Sequence, residues 1–274
     1  MRFSRSAMRG MVVVFSLAPN WGASSQQESP EKGFLAAAYH SPGGETMQYR
    51  LFVPPDYDKT KRYPVVLWLH GAAGRGSDNL LQISGDNFPG THVWTTPENQ
   101  TKYHAFVLAP QVEETKAWAR PHANTPPVSL RLALEILDTI EKNYSIDRER
   151  EYVAGQSMGG EGAWAALASA PGRFAAAIAL CARGFDDQIA PDAKTPVWIW
   201  QGDTDPIVPV ENARRWVAAL REAGGAPKYT EIPNWGHNVW EKTFADPELL
   251  PWLFSQHLGP QQRRKPSRLS QDTQ

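Results

Sequence analysis

Between residues 33 and 258, short apolar runs alternate with longer stretches whose apolar positions recur every three or four residues. "MQYRLFVP" (47–54) sets Met47, Tyr49, Leu51 and Val53 on one face, the pattern of a half-exposed strand. "PVVLWLH" (64–70) and "AFVLAP" (105–110) are continuously apolar, as strands covered on both faces must be. "EYVAG" (151–155), "AAAIAL" (175–180), "PVWIWQG" (196–202) and "KYTEIP" (228–233) read as further strands. "PPVSLRLALEILDTIEKNY" (126–144) predicts a helix whose stripe is Leu130, Ala133, Leu134, Leu137, Ile140 and Tyr144, with its prolines in the first turn. A helix is expected from about 158. Another over 208–224 carries the stripe Val210, Ala213, Val217 and Leu220 and ends at Gly224, and "PELLPWLFSQHL" (247–258) closes the series.

Strands alternating with helices predict an α/β fold: a mostly parallel central sheet with helices on both faces. No internal repeat or linker divides residues 33–258, so one domain is expected. In such sheets ligands bind beyond the carboxyl ends of the strands.

The ends differ from this core. Arg2, Arg5 and Arg9 precede the apolar run "GMVVVFSLA" (10–18), and the small residues "GASS" (22–25) follow. Residues 1–25 therefore read as a signal peptide, with cleavage after Ser24 favoured because Trp21 would sit badly at the −3 position of a cut after Ala23. The run is shorter than the roughly 18 residues of a membrane span. Secretion or periplasmic export is expected, a cytoplasmic extension being the alternative. The polar, basic segment 259–274 reads as a disordered tail.

Composition narrows the function classes. A net charge of −1 gives no bulk attraction to nucleic acid or to an anionic membrane. The single cysteine, Cys181, excludes an intrachain disulfide and a thiolate cluster, and it follows an apolar run that favours a buried structural thiol. The seven histidines show no metal-ligand spacing. No cofactor and no metal are expected. Eleven tryptophans are present, and Trp94, Trp118 and Trp235 fall in segments that read as loops, lining a cleft or packing over the core.

Candidate chemistry gathers at the strand ends. Gly155-Gln156-Ser157-Met158-Gly159 is a G-x-S-x-G pattern. Alone it is weak, because Gly and Ser are common. Its place between an apolar strand and a small-residue helix is the context that exposes a strained, nucleophilic serine. "QGDTDPIVP" (201–209) offers Asp203 and Asp205 after another buried strand; one is expected to orient a histidine and the other to hold the turn, with Asp205 favoured as the one nearer the apex. His237, in "PNWGHNVW" (233–240) after the last strand, is the candidate base. In "LHGAAGRGSDN" (69–79), the Ala72 N–H is a candidate oxyanion donor, Met158 N–H supplies the second, and His70 is expected to anchor the loop. A phosphate-loop reading fails for want of G-x-x-x-x-G-K-[ST].

Together "YRLFVPPDY", "PVVLWLHGAAGRGSDN", "LAPQ", "IDREREYVAGQSMGGEGAW", "GDTDPIVPVENARRWVAALREAGG" and "IPNWGHNVW" resemble the secreted esterase and peptidase-like branch of the α/β-hydrolases. Its relatives include feruloyl and acetyl-xylan esterases, polyhydroxyalkanoate depolymerase-like esterases and prolyl-oligopeptidase-like hydrolases. The resemblance covers about residues 45–257. It implies an α/β-hydrolase domain with Ser157 as nucleophile, Asp205 as acid, His237 as base and Asp203 as a structural residue. Two departures stand out: Gln201 replaces a common His before the G-D-x-D run, and "CARGFDD" (181–187), with the bulky, charged Arg183, replaces a run usually richer in Gly.

The expected activity is hydrolysis of carboxylic esters, small or polysaccharide-linked. Trp118, Trp235 and Arg183 are candidate substrate contacts, Trp118 for an aromatic or sugar portion and Arg183 for acidic groups, with a solvated surface arginine the favoured alternative for Arg183. A peptidase on the same triad ranks second, since nothing before residue 45 is long enough for a peptide-selecting domain. An inactive carbohydrate-binding protein ranks third, because all three triad positions are intact. The segments 85–104 and 113–126 are expected to be substrate-choosing loops; neither they nor the rest of the chain specify the acyl group, the alcohol or the oligomeric state.

Overall fold

Tyr63–Leu69, buried at every position, forms strand β4 near the middle of the sheet. The structure, a computed structural model, describes residues 27–28, 33–120, 125–184 and 193–259. The expected signal segment 1–25 and all of the tail except Gly259 lie outside them. The other strands are β1 (Gln27–Glu28), β2 (Phe34–His40), β3 (Thr46–Phe52), β5 (Phe106–Pro110), β6 (Ile146–Gln156), β7 (Ala176–Leu180), β8 (Val197–Gly202) and β9 (Lys228–Ile232). They form one sheet in the order β1-β2-β3-β5-β4-β6-β7-β8-β9. β1, β2 and β3 pair antiparallel with their neighbours, and every pair from β5 to β9 is parallel. This is the α/β-hydrolase arrangement, with its parallel strand ends all on one edge.

Alternate residues of the parallel strands feed two cores. Leu67, Leu69, Val153, Ala179 and Ile199 face helices α3 (Val128–Asn143), α4 (Met158–Ser169) and α5 (Val210–Glu222). Val66, Trp68, Ala154, Ile178 and Trp200 face the opposite side, where α6 (Trp240–Phe244) and α7 (Leu249–Phe254) pack. The stripes expected on α3 and α5 are buried, except that Tyr144 lies just past α3 and is half-buried. Val53 likewise falls just beyond β3.

Two expectations need correcting. β2 lies outside the strands the sequence predicts, because "FLAAAYH" carries three small alanines among its seven residues and shows no sharp alternation. The segment 85–104, expected as a loop, is largely helical: α1 (Phe88–His92), a 3₁₀ turn (Val93–Thr95) and α2 (Pro97–Tyr103). Thr96 caps α2 by accepting from Asn99 N–H, Pro97 occupies its first turn, and Trp94 is 1% exposed beneath it. Trp94 therefore packs the core.

Candidate active site

Ser157 stands between β6 and α4 with φ 53° and ψ −121°, a conformation costly for a residue with a side chain. The turn is tight enough to dictate its glycines. A Cβ on Gly155 would lie 2.2 Å from Gly159 O, and one on Gly159 would lie 1.8 Å from Leu69 O. Both obstacles are backbone and cannot swing away. The serine is thereby lifted above the sheet edge at the start of a 12-residue helix.

β8 and β9 deliver the other two side chains. His237 Nε2 lies 2.9 Å from Ser157 Oγ, and His237 Nδ1 lies 2.7 Å from Asp205 Oδ2. Asp205 Oδ1 accepts from the Ile207 and Val208 N–H groups at 2.8 and 2.9 Å. Burial pushes the Asp205 carboxyl up, but those N–H groups and His237 outweigh it and leave it below the ordinary aspartate value. Asp203 Oδ1 accepts from Trp235 N–H at 3.3 Å, bracing the histidine loop. That loop crosses directly over Gly202, where a Cβ would lie 2.2 Å from both Trp235 O and Gly236 O.

Gln201 was noticed in the sequence only as a departure. It is fully buried, and its Nε2 lies 2.9 Å from Asp205 Oδ2 and 2.9 Å from Val208 O. Acceptors surround that nitrogen, which fixes the amide orientation. Cys181 is buried as expected, with φ 45°, and burial pushes its thiol strongly up. A sulfur, oxygen and nitrogen of Cys181, Asp205 and His237 lie within 4.8 Å of one another, a span a metal ion could bridge. Those donor atoms are already committed: Asp205 Oδ2 meets His237 Nδ1 at 2.7 Å, and Asp205 receives hydrogen bonds on both oxygens.

The loop after β4 is held from several sides. His70 is 0% exposed; its Nε2 accepts from Val112 N–H at 3.0 Å, so Nδ1 carries the proton donated to Gly71 O at 2.7 Å. Burial pushes this histidine down to about 4, so it is neutral at ordinary pH. Gly71 N–H is taken by Asn87 Oδ1 at 2.9 Å. Exposed Ala72 opens the 3₁₀ turn Ala72–Gly74, and Met158 is the first residue of α4; among the described residues neither N–H has a hydrogen-bond acceptor.

The tryptophan expectations divide. Trp118 is 0% exposed, its Nε1 donating to His70 O at 3.0 Å and its ring meeting the His70 ring edge to face. It is a prop for the loop after β4 and, being wholly covered, is corrected as a substrate contact. Trp235 is half-buried beside His237, its Nε1 on Asn238 O at 3.2 Å and Lys242 over its ring. Arg183 is 53% exposed after β7, with Nε 3.9 Å from Glu161 Oε1. The sequence reading missed Glu161, one helical turn beyond Ser157. A separate cavity of about 240 Å³, lined by Gln48, Gln111, Lys116 and Ser129, includes none of Ser157, Asp205 and His237.

Comparison with known proteins gives a consistent picture. Residues 41–218 match the esterase family described as "Putative esterase". A protein of Aspergillus niger named "Probable feruloyl esterase C" is 28% identical over 216 residues, covering 76% of this chain and 73% of its own length. The crystal structure of a thermostable esterase is similar with TM-score 0.78 and 37% identity, over 82% of this chain but only 63% of that one. A ferulic acid esterase from Anaeromyces mucronatus shares the fold, with TM-score 0.54 and 19% identity over 77% of this chain and 88% of its own.

Proposed function

The chain belongs to the esterase family, and we propose that it cleaves carboxylic esters through Ser157, His237 and Asp205 by way of an acyl-enzyme. Ser157 Oγ attacks the ester carbonyl carbon while His237 Nε2 takes its proton. The oxyanion accepts from the Ala72 and Met158 N–H groups; one such donor contributes roughly 3–4 kcal/mol in a serine hydrolase. His237 then returns the proton to the departing alcohol oxygen. Water, deprotonated by the same nitrogen, attacks the acyl carbon and releases the acid. Asp205 stabilises the imidazolium and holds its tautomer. The reading rests on the unbroken run of contacts, 2.9 Å from Ser157 to His237 and 2.7 Å from His237 to Asp205.

The proposed substrates are plant polysaccharide or phenolic esters, the phenolic class supported by the feruloyl esterase named among the relatives. Secretion is part of the same proposal, resting on the segment 1–25; the described residues contain no helix long and apolar enough to cross a membrane. Ser157→Ala should abolish turnover of p-nitrophenyl butyrate and of methyl ferulate, together with labelling by a fluorophosphonate. Full labelling of that variant would refute the assignment.

A further inference from the structure

We propose that Arg183 and Arg75 form a subsite for a carboxylate on the substrate, and that Glu161 gates it. The proposal rests on the reading of Ser157 as nucleophile. β6, which ends at Ser157, lies between β4 and β7 in the sheet. Arg75 follows the end of β4 and Arg183 follows the end of β7, so the two guanidinium groups come from the two strands that flank the nucleophile. Glu161 sits between them on α4, one turn past Ser157, its N–H donating to Ser157 O at 3.0 Å.

The three groups do not satisfy one another. Arg183 Nε is 3.9 Å from Glu161 Oε1, too far for a hydrogen bond, and its Nη2 reaches Ile207 O only at 3.5 Å. Arg75 donates through Nε to Lys116 O at 2.7 Å, and among the described residues its terminal nitrogens have no acceptor. The Glu161 side chain is 18% exposed and has no hydrogen-bond donor among the described residues. The charged groups facing it are Arg183 and Arg75. Burial pushes its carboxyl up to about 7, against the pull of both arginines. Ionised, Glu161 competes for Arg183; protonated, it releases the guanidinium to an incoming anion. The substrate class implied is an ester whose acyl or alcohol portion carries a free carboxylate, as a uronic acid does.

The test compares kcat/KM for charged and neutral esters on the full chain, below and above the Glu161 transition at about 7. Monophenyl adipate against phenyl hexanoate places the carboxylate on the acyl side; 3-acetoxybenzoate against 3-acetoxybenzamide places it on the alcohol side. In one pair the charged-to-neutral ratio should rise about fivefold on the acid side, the scale of one partly exposed ion pair. Glu161→Gln should hold the ratio high at both pH values, and Arg183→Ala should hold it low at both. A wild-type ratio that is flat with pH in both pairs, or that is unchanged in Arg183→Ala, would overturn the proposal. Ser157→Ala separates the two readings: its turning over these esters defeats the nucleophile assignment, whereas a dead variant with a flat wild-type ratio defeats only the subsite.

Discussion

Gln201 Nε2 lies 2.9 Å from Asp205 Oδ2, the oxygen that His237 Nδ1 also meets at 2.7 Å. One carboxylate oxygen thus serves a buried amide and the imidazole together, while the other is held by two backbone N–H groups. The amide gives Asp205 a neutral donor that does not titrate. Gln201→Leu should lower kcat about 10- to 100-fold with little change in KM, since a hydrogen bond to a charged group contributes roughly 1.5–3 kcal/mol. Gln201→Glu can donate to Asp205 only while protonated, so its deficit should grow as pH rises and a second carboxylate forms beside Asp205. Steady-state kinetics across pH check both; equal, pH-independent losses would reduce Gln201 to packing.

Asp205 itself carries a dependence of known sign. Its carboxyl lies below the ordinary value in the folded state, so its stabilising contribution is present above the unfolded-state pKa and is lost as pH falls through the folded one. Asp205→Asn should therefore melt below the wild type at neutral pH, with the gap closing in acid. Its kcat should fall roughly 10⁴-fold through loss of the imidazole tautomer. Thermal melts at several pH values, paired with ester turnover, check the two halves separately.

The contact between Gly159 and the Leu69 carbonyl predicts intolerance of a single methyl group. At 1.8 Å, a Cβ would have to displace either the end of β4 or the start of α4. Gly159→Ala should cost about 3 kcal/mol or more, at or beyond the usual limit for overpacking, and should abolish activity in whatever remains folded. Chemical denaturation measures the first effect and fluorophosphonate labelling the second.

What the sequence made legible follows from how many neighbours each feature depends on. Continuous apolar runs such as Tyr63–Leu69 identify central strands because burial on both faces leaves no polar position. Ser157 and Asp205 could be singled out because each sits just past such a run, and His237 because it follows the last strand, the half-buried Lys228–Ile232. The alanine-rich Phe34–His40 was not legible: small residues carry little periodic signal, and the strand forms by pairing along Phe34–His40 with β3. The helices over 88–103 were hidden by their turn-like residues, which serve as caps and first-turn prolines. Trp118 suggested a cleft because a tryptophan in a loop usually covers something. Here it covers His70, which is close in space and 48 residues away in sequence. Gln201 and Glu161 act through contacts across strands or loops, and no local pattern marks those.

Glu161 supplies the last prediction, one of stability. Its carboxyl is raised from 4.5 to about 7, burial being the largest cause. The folded state therefore holds this proton more tightly than the unfolded chain does. Between those two values the unfolded chain has already lost its proton, so stability falls as pH rises, and above about 7 the whole cost of the buried anion is present. Glu161→Gln removes the ionisable group at nearly constant volume. Near pH 4 it should leave the melting temperature close to that of the wild type, and near pH 8 it should stabilise the chain by on the order of 2 kcal/mol. Denaturant melts of both proteins at the two pH values decide the matter. A difference that is the same at both would mean that Glu161 does not titrate in this range.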